Sequence, residues 1–319
     1  MNLLVTGGCG FIGSNFIHHV INRRAIHKLI NLDLLTYAGD LKNVTEIARN
    51  PKYSFCHIDL ANSKDVREVF LKHSITHVVH FAAESHVDNS ISGPLPFINA
   101  NVLGTFNLLE SSKEFQIKRF HHVSTDEVYG ALGKTGKFNE NTPYHPHNPY
   151  SATKAASDML VRAYGHTYDF KYTLSNCSNN YGPRQHSEKF LPVVINSILN
   201  KRKIPVYGSG KNVRDWIYVI DHCEAVWTIL TKGKDKETYL VGSDCEKTNL
   251  ELINGVCHIL GVTPDEHISF IEDRKGHDFR YAIDNSKIKK ELKWEPKFSF
   301  REGLSKTILF YESKFSKNI

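Results

Sequence analysis

A strand-like run, Asn2-Leu3-Leu4-Val5-Thr6, passes directly into Gly7-Gly8-Cys9-Gly10-Phe11-Ile12-Gly13, and Ser14 to Asn22 then have helical spacing. No other stretch restricts the fold so tightly. Gly7, Gly10 and Gly13 set a G-x-x-G-x-x-G spacing at a strand-to-helix turn. Missing side chains there let the backbone approach a pyrophosphate, and the helix N-terminus stabilises its charge. The spacing alone is weak evidence, but its context adds to it. A second strand, Leu29-Ile30-Asn31-Leu32-Asp33, closes on an acid about 20 residues beyond Gly13, as a dinucleotide fingerprint requires. A carboxylate at Asp33 accepts hydrogen bonds from an adenosine ribose and repels a 2′-phosphate, which predicts NAD over NADP.

Strands and helices keep alternating. Tyr53 to Ile58 reads as a third strand with Asp59-Leu60 at its end, placed to meet an adenine; Lys64 to Lys72 is helical, and His77-Val78-Val79-His80-Phe81 is a fourth strand. Alternation along that strand explains its two histidines without a metal. Ala82-Ala83 follow, small enough for close approach to a cofactor, and Glu84-Ser85-His86-Val87-Asp88 add polar groups within reach of a substrate. A helix from about Pro96 to Phe115 leads to a fifth strand, Arg119 to Val123. Such alternation implies an α/β fold built on a doubly wound parallel sheet.

The fifth strand delivers Ser124-Thr125-Asp126-Glu127-Val128-Tyr129-Gly130 at or just beyond its end. Ligands bind at the carboxyl ends of strands in such sheets. Two adjacent carboxyls resist ionising together, so their pKa values are driven apart and acid and base roles can be divided between them. A solvated turn is the plain alternative. After a polar loop, Tyr150-Ser151-Ala152-Thr153-Lys154 opens a helix to about Tyr168. Tyr150 and Lys154 share one helical face, and an ammonium beside the phenol is expected to lower its pKa from about 10.

Past Lys171 the pattern is less regular. Tyr172 to Ser175 reads as a sixth strand, Asn176 to Arg184 as a polar loop, and Arg274 to Tyr281 as a loop of charged and aromatic residues suited to a nucleoside diphosphate. With 319 residues, 40% hydrophobic and 23% charged, the chain is long enough for one large core or two unequal ones. A net charge of +6, scattered, does not make a nucleic-acid footprint. No apolar run approaches the roughly 20 residues of a membrane span. The N-terminus enters a strand rather than a leader, and the six cysteines show no metal or CxxC spacing, so a cytoplasmic protein with reduced thiols is expected.

Taken together, Gly7 to Gly13, Asp33 to Gly39, Ala82 to Asp88, Ser124 to Gly130, Tyr150 to Lys154, Asn176 to Pro183, Arg214-Asp215-Trp216 and Gly276-His277-Asp278 resemble the extended short-chain dehydrogenase/reductase superfamily. Within it they resemble the nucleotide-sugar 4,6-dehydratases. The glycine and Tyr/Lys motifs mark only the superfamily; Thr125-Asp126-Glu127 separates dehydratases from epimerases. The resemblance implies a Rossmann-type NAD-binding domain over 1–176 and a smaller C-terminal α/β substrate domain over 177–319, some of whose segments return to the sheet. It implies NAD contacts from Gly7, Gly10, Phe11, Ile12, Gly13, Asp33, Thr36, Asp59, Leu60, Ala82, Ala83, Tyr150, Lys154 and Asn180. It places Ser85, Thr125, Asn179, Lys189, Phe190, Pro205, Tyr207, Arg214, Asn249, Asp278 and Tyr281 around a nucleoside-diphosphate glucose, dTDP-glucose or UDP-glucose.

By the same resemblance, Tyr150 takes the C4 hydroxyl proton with Thr125 on the same oxygen, Glu127 removes the C5 proton and protonated Asp126 releases the C6 hydroxyl as water, while Lys154 supports the phenol. Side chains adjacent on a strand point to opposite faces, so the backbone must leave extension at Asp126-Glu127 for both to reach one cavity. A homodimer through the helices near 97–115 and 150–168 is also implied. Leu34, Asn89, Ala100, Gln185-His186-Ser187 and Phe279 depart from the family pattern at its sugar- and base-binding positions. Two other readings remain open, a nucleotide-sugar 4-epimerase and an NAD-binding regulator without activity.

Overall fold

The computed structural model describes residues 1–273 and 277–315. Its strands in chain order are β1 (Asn2–Thr6), β2 (Lys28–Asp33), β3 (Tyr53–His57), β4 (His77–His80), β5 (Arg119–Thr125), β6 (Tyr172–Cys177), β7 (Asn179–Tyr181), β8 (Ile204–Tyr207), β9 (Val213–Tyr218), β10 (Glu237–Val241), β11 (Glu246–Thr248) and β12 (Ile268–Ile271). The helices are α1 (Phe11–Val20), α2 (Ser63–His73), α3 (Val87–Ser92), α4 (Leu95–Phe97), α5 (Gly104–Glu114), α6 (Pro149–Thr167), α7 (Phe190–Leu199), α8 (Val219–Lys232), α9 (Asn249–Leu260), α10 (Ser286–Leu292) and α11 (Phe300–Phe315).

Seven strands form one sheet in the order β10-β6-β5-β4-β1-β2-β3, parallel at every pairing. This is a doubly wound Rossmann-type sheet. Its direction of winding reverses between β1 and β4, and that reversal opens a crevice at the carboxyl ends of the strands. Both faces are buried, so the strands carry continuous apolar runs. Leu3 and Val5 pack with Phe16 and Ile17 of α1 and Val226 and Trp227 of α8. Leu4, pointing the other way, packs with Val66 and Phe70 of α2, Leu108 of α5 and Val161 of α6.

Beyond β6, the strands β11-β9-β7 and β12-β8 make two small sheets. Helices α7, α9 and α11 cover them around Val194, Ile195, Trp216, Ile253, Val256 and Ile308. β10 does not stay with these sheets; it joins the edge of the main sheet against β6.

Local structure departs from the sequence expectations in three places that bear on function. β5 runs on through Ser124 and Thr125, so only the acid pair lies past its end. The helix expected from Pro96 to Phe115 is interrupted by a π-helical segment, Ile98–Leu103. That bulge buries Asn101, whose amide donates to Glu84 O at 3.1 Å and Thr153 Oγ1 at 2.9 Å and accepts from Glu84 N at 2.8 Å. Asn176 to Tyr181 is not a solvated loop, for Asn176 and Cys177 end β6, Asn179 to Tyr181 form β7, and Asn176 is fully buried. Asn176 is tolerated inside because its amide is bonded, Nδ2 donating to Thr125 O at 3.1 Å and Oδ1 accepting from Tyr129 OH at 3.2 Å.

Candidate active site

A cavity of about 560 Å³ lies in the crevice, within the range of small-ligand sites. All fourteen positions expected to touch a cofactor line it, from Gly7 through Asn180. Gly7 has φ +70°, and a Cβ on it would stand 2.7 Å from the Ala82 backbone; one on Gly13 would stand 2.2 Å from Gly7 O. A Cβ on Gly10 would meet only Gly7 O, at 3.3 Å, which leaves the space over the turn clear for a diphosphate. Asp33 is fastened at both oxygens, Oδ2 accepting from Cys9 N and Oδ1 from Leu35 N, each at 2.8 Å. Burial raises its carboxyl pKa and these two bonds oppose the rise, leaving it an anchored acceptor at the cavity wall. This arrangement fits NAD.

At the far end of the crevice stand the five expected catalytic residues, all lining the same cavity. Thr125 ends β5 in extended conformation, and its Oγ1 accepts from Glu127 N at 3.3 Å, capping a single 3-10 turn over Asp126–Tyr129. The turn breaks the alternation and brings both carboxyls to one side. Asp126 is 2% exposed, and its carboxyl is held well above the ordinary range by burial and then by the charge of Glu127, with Arg214 opposing. Thr125 Oγ1 donates to its Oδ1 at 3.3 Å. Gly130 closes the turn at φ +81°, with His145 O 2.5 Å from where a Cβ would be.

Tyr150 and Lys154 are aligned by the start of α6. Pro149 occupies the first turn, Asn148 Oδ1 accepts from Ser151 N at 2.9 Å, and Ser151 Oγ returns to the cap. The expected low phenol pKa is not found in the protein alone. Burial, and next Glu127, push the Tyr150 phenol well above 10. Lys154 Nζ donates to Val123 O at 2.9 Å, and burial also lowers its own affinity for the proton. Desolvation is the largest influence on both groups.

Behind them lies a network that sequence reading did not find. Asp158, fully buried, accepts from Ser124 Oγ and Tyr144 OH at 2.9 Å and Asn176 Nδ2 at 3.2 Å, with His122 Nε2 3.2 Å from its other oxygen. Its position one turn beyond Lys154 was the available signal. His80 bonds Thr6 Oγ1 at 2.7 Å and Thr105 Oγ1 at 2.9 Å, and among the described residues no group of His, Cys, Asp and Glu is arranged to hold a metal.

The expected substrate positions divide. Ser85, Thr125, Asn179 and Lys189 line the cavity, with Lys189 Nζ donating to Ser85 O at 3.1 Å. Phe190, Pro205, Tyr207, Arg214, Asn249, Asp278 and Tyr281 are outside its lining. Three of these join one another beside the acid pair: Arg214 lies over the Tyr281 ring at 4.3 Å and donates to Asp278 O at 3.0 Å. Pro205 and Tyr207 lie on β8, Phe190 opens α7 and Asn249 opens α9. Arg274, Lys275 and Gly276 lie outside the described residues. Asn99, Ala100, Cys177, Gln185 and His186 line the cavity without having been expected as contacts.

Residues 4–307 match the model of the GDP-mannose 4,6-dehydratase family, and the chain belongs to that family of nucleotide-sugar dehydratases. Its similarity is more specific than the family. It is 47% identical to the dTDP-glucose 4,6-dehydratase of Xanthomonas campestris pv. campestris (strain B100) over 97% of this chain and 92% of that protein. The crystal structure of dTDP-glucose 4,6-dehydratase from Bacillus anthracis in complex with NAD is 44% identical, with TM-score 0.93, covering 99% of this chain and 98% of that one. The dTDP-glucose 4,6-dehydratase of Streptomyces venezuelae, with NAD and dTDP bound, has TM-score 0.96 at 40% identity, with 99% and 98% covered.

Proposed function

We propose that the chain is an NAD-dependent hydro-lyase that converts dTDP-glucose to its 4-keto-6-deoxy product. One observation carries this reading: two adjacent acids are turned into the same cavity as Tyr150, beside a dinucleotide cradle. An epimerase needs the cradle and Tyr150 but not the acids, and the relatives described above are dehydratases.

NAD, when bound, accepts hydrogen from sugar C4 and returns it at C6. The residues manage the protons. Tyr150 takes the C4 hydroxyl proton, Thr125 holds the same oxygen, and the Lys154 ammonium on the same helical face favours the phenolate against the burial that keeps the free phenol protonated. The C4 ketone acidifies the C5 proton, which Glu127 removes. Asp126, kept protonated by burial and its neighbour, donates to the departing C6 hydroxyl. Ser85 and the segment 177–319 supply the groups for the nucleotide and sugar, with Ser85, Asn179 and Lys189 at the cavity and Phe190, Pro205, Tyr207, Arg214, Asn249, Asp278 and Tyr281 further out. We further place the enzyme in the cytoplasm as a homodimer; among the described residues no helix is long and apolar enough to cross a membrane.

The test is a product assay with dTDP-glucose, UDP-glucose and UDP-N-acetylglucosamine. A 4-keto-6-deoxy sugar formed fastest from dTDP-glucose is expected. Isomerised sugar without loss of water points to an epimerase, and no turnover at all to a regulator.

A further inference from the structure

We propose that Asp158 is a positioning residue for the oxidation at sugar C4, bracing the end of β5 against the helix that carries Tyr150 and Lys154. The role rests on the reading of Tyr150, Lys154 and Thr125 as the groups that act at that carbon. Tyr150, Lys154 and Asp158 follow one another at i, i+4 and i+8 on α6, on successive turns of one face. The strand opposite alternates. His122 and Ser124 meet Asp158 of α6, while Val123 between them packs with Phe16 and Val226 on the other side of the sheet.

Each link of the brace is short. Asp158 Oδ2 accepts from Ser124 Oγ at 2.9 Å and from Asn176 Nδ2 at 3.2 Å, and the same amide nitrogen donates to Thr125 O at 3.1 Å. Asp158 Oδ1 stands 3.2 Å from His122 Nε2. Between those two strand residues, the Val123 carbonyl accepts from Lys154 Nζ at 2.9 Å. One carboxylate therefore holds the strand on both sides of the carbonyl that seats the lysine and, through one amide, the backbone of Thr125.

Asp158, His122 and Asn176 are 0% exposed and Ser124 is 3% exposed, so solvent does not replace a lost partner. Burial pushes the Asp158 carboxyl up, but His122, then Lys154 and Ser124, outweigh it and hold it below the ordinary value of 3.8. It is thus an anion, able only to accept. Asp158 does not line the cavity, and its effect on the sugar passes through Lys154 and Thr125. A further donor, Tyr144 OH, reaches the same Oδ2 at 2.9 Å, but from the loop ahead of α6 rather than from β5. That difference separates a brace on the strand from a bond that merely stabilises.

The experiment uses dTDP-6-deoxyglucose, which has no C6 hydroxyl to expel. Its C4 hydroxyl proton goes to Tyr150 and its C4 hydride to NAD, no water can leave, and the cofactor stays reduced. The quantity read is the first-order rate constant of cofactor reduction at saturating analogue, which does not depend on how much of the protein is folded. Asp158→Asn and Ser124→Ala should each lower it by roughly 10 to 10²-fold, the loss that a misplacement of about 1 Å brings. Tyr144→Phe, which removes a bond of the same length from the same oxygen, should keep the wild-type value. Should Asp158→Asn not fold, Ser124→Ala against Tyr144→Phe decides. A wild-type rate constant in Ser124→Ala, or an equal loss in Tyr144→Phe, overturns the brace and leaves the dehydratase reading intact. Failure of the wild type to form any 4-keto-6-deoxy sugar from dTDP-glucose overturns that reading and takes the brace with it.

Discussion

Single residues set the proton chemistry, and the acid pair shows how. Asp126 and Glu127 are neighbours of the same type, yet burial falls hardest on Asp126 and holds its proton. Glu127→Gln should stop the reaction after C4 oxidation, lowering product formation by roughly 10² to 10⁴-fold; reduced cofactor that persists at 340 nm in a single turnover is the check. Tyr150→Phe should suppress the same absorbance at its first appearance. Asp126 also links pH to stability. Its folded pKa is raised above the ordinary carboxyl value of 3.8, so the stability it contributes is complete below about pH 4 and lost as pH rises through the folded value. Asp126→Asn should therefore melt higher than the wild type at pH 7 by a few degrees, with no such gap near pH 3, while losing activity. The identities of these residues were plain in the sequence. Their pKa directions were not, because an i, i+4 spacing places Lys154 near Tyr150 without revealing that the ammonium is bonded to Val123 O.

At the scale of elements, turns and caps decide where those side chains point. The 3-10 turn after β5 depends on Gly130, whose positive φ and closeness to His145 O leave no room for a side chain. Gly130→Ala should destabilise the protein by about 1–3 kcal/mol and reduce activity with it, measurable by urea unfolding and product assay. Asn148→Ala, which removes the cap of α6, should cost about 1 kcal/mol. Hydrophobic runs and glycine turns made the main strands and helices readable, since two-sided burial writes long apolar stretches. The π segment at Ile98–Leu103 and the buried amides of Asn176 to Tyr181 were not readable. Asn101 in that segment and Asn176 are polar side chains kept inside by partners distant in the chain, and no local pattern announces such partners. Asp158 was marked by its spacing from Lys154, but its partners Ser124, Tyr144, Asn176 and His122 lie elsewhere in the chain.

Across the whole molecule, the crevice is lined from both sides of residue 176, by the glycine turn and β5 on one and by Ser178, Asn179, Asn180 and Lys189 on the other. Apolar side chains at Leu95, Ile98, Leu103, Phe106 and Met159 are exposed on the helical segment 95–114 and on α6, the surface where the proposed homodimer would form. Sedimentation at micromolar concentration should give twice the mass of the 36.3 kDa chain, and Met159→Glu should shift it toward one. The pairing of β10 with β6 has its own consequence during synthesis. While the ribosome has yet to release residue 241, the nascent sheet carries an open β6 border, a row of amides and carbonyls free to recruit any passing strand. A chain cut after residue 176 should accordingly precipitate when expressed alone, and adding the missing segment in trans should keep it in solution.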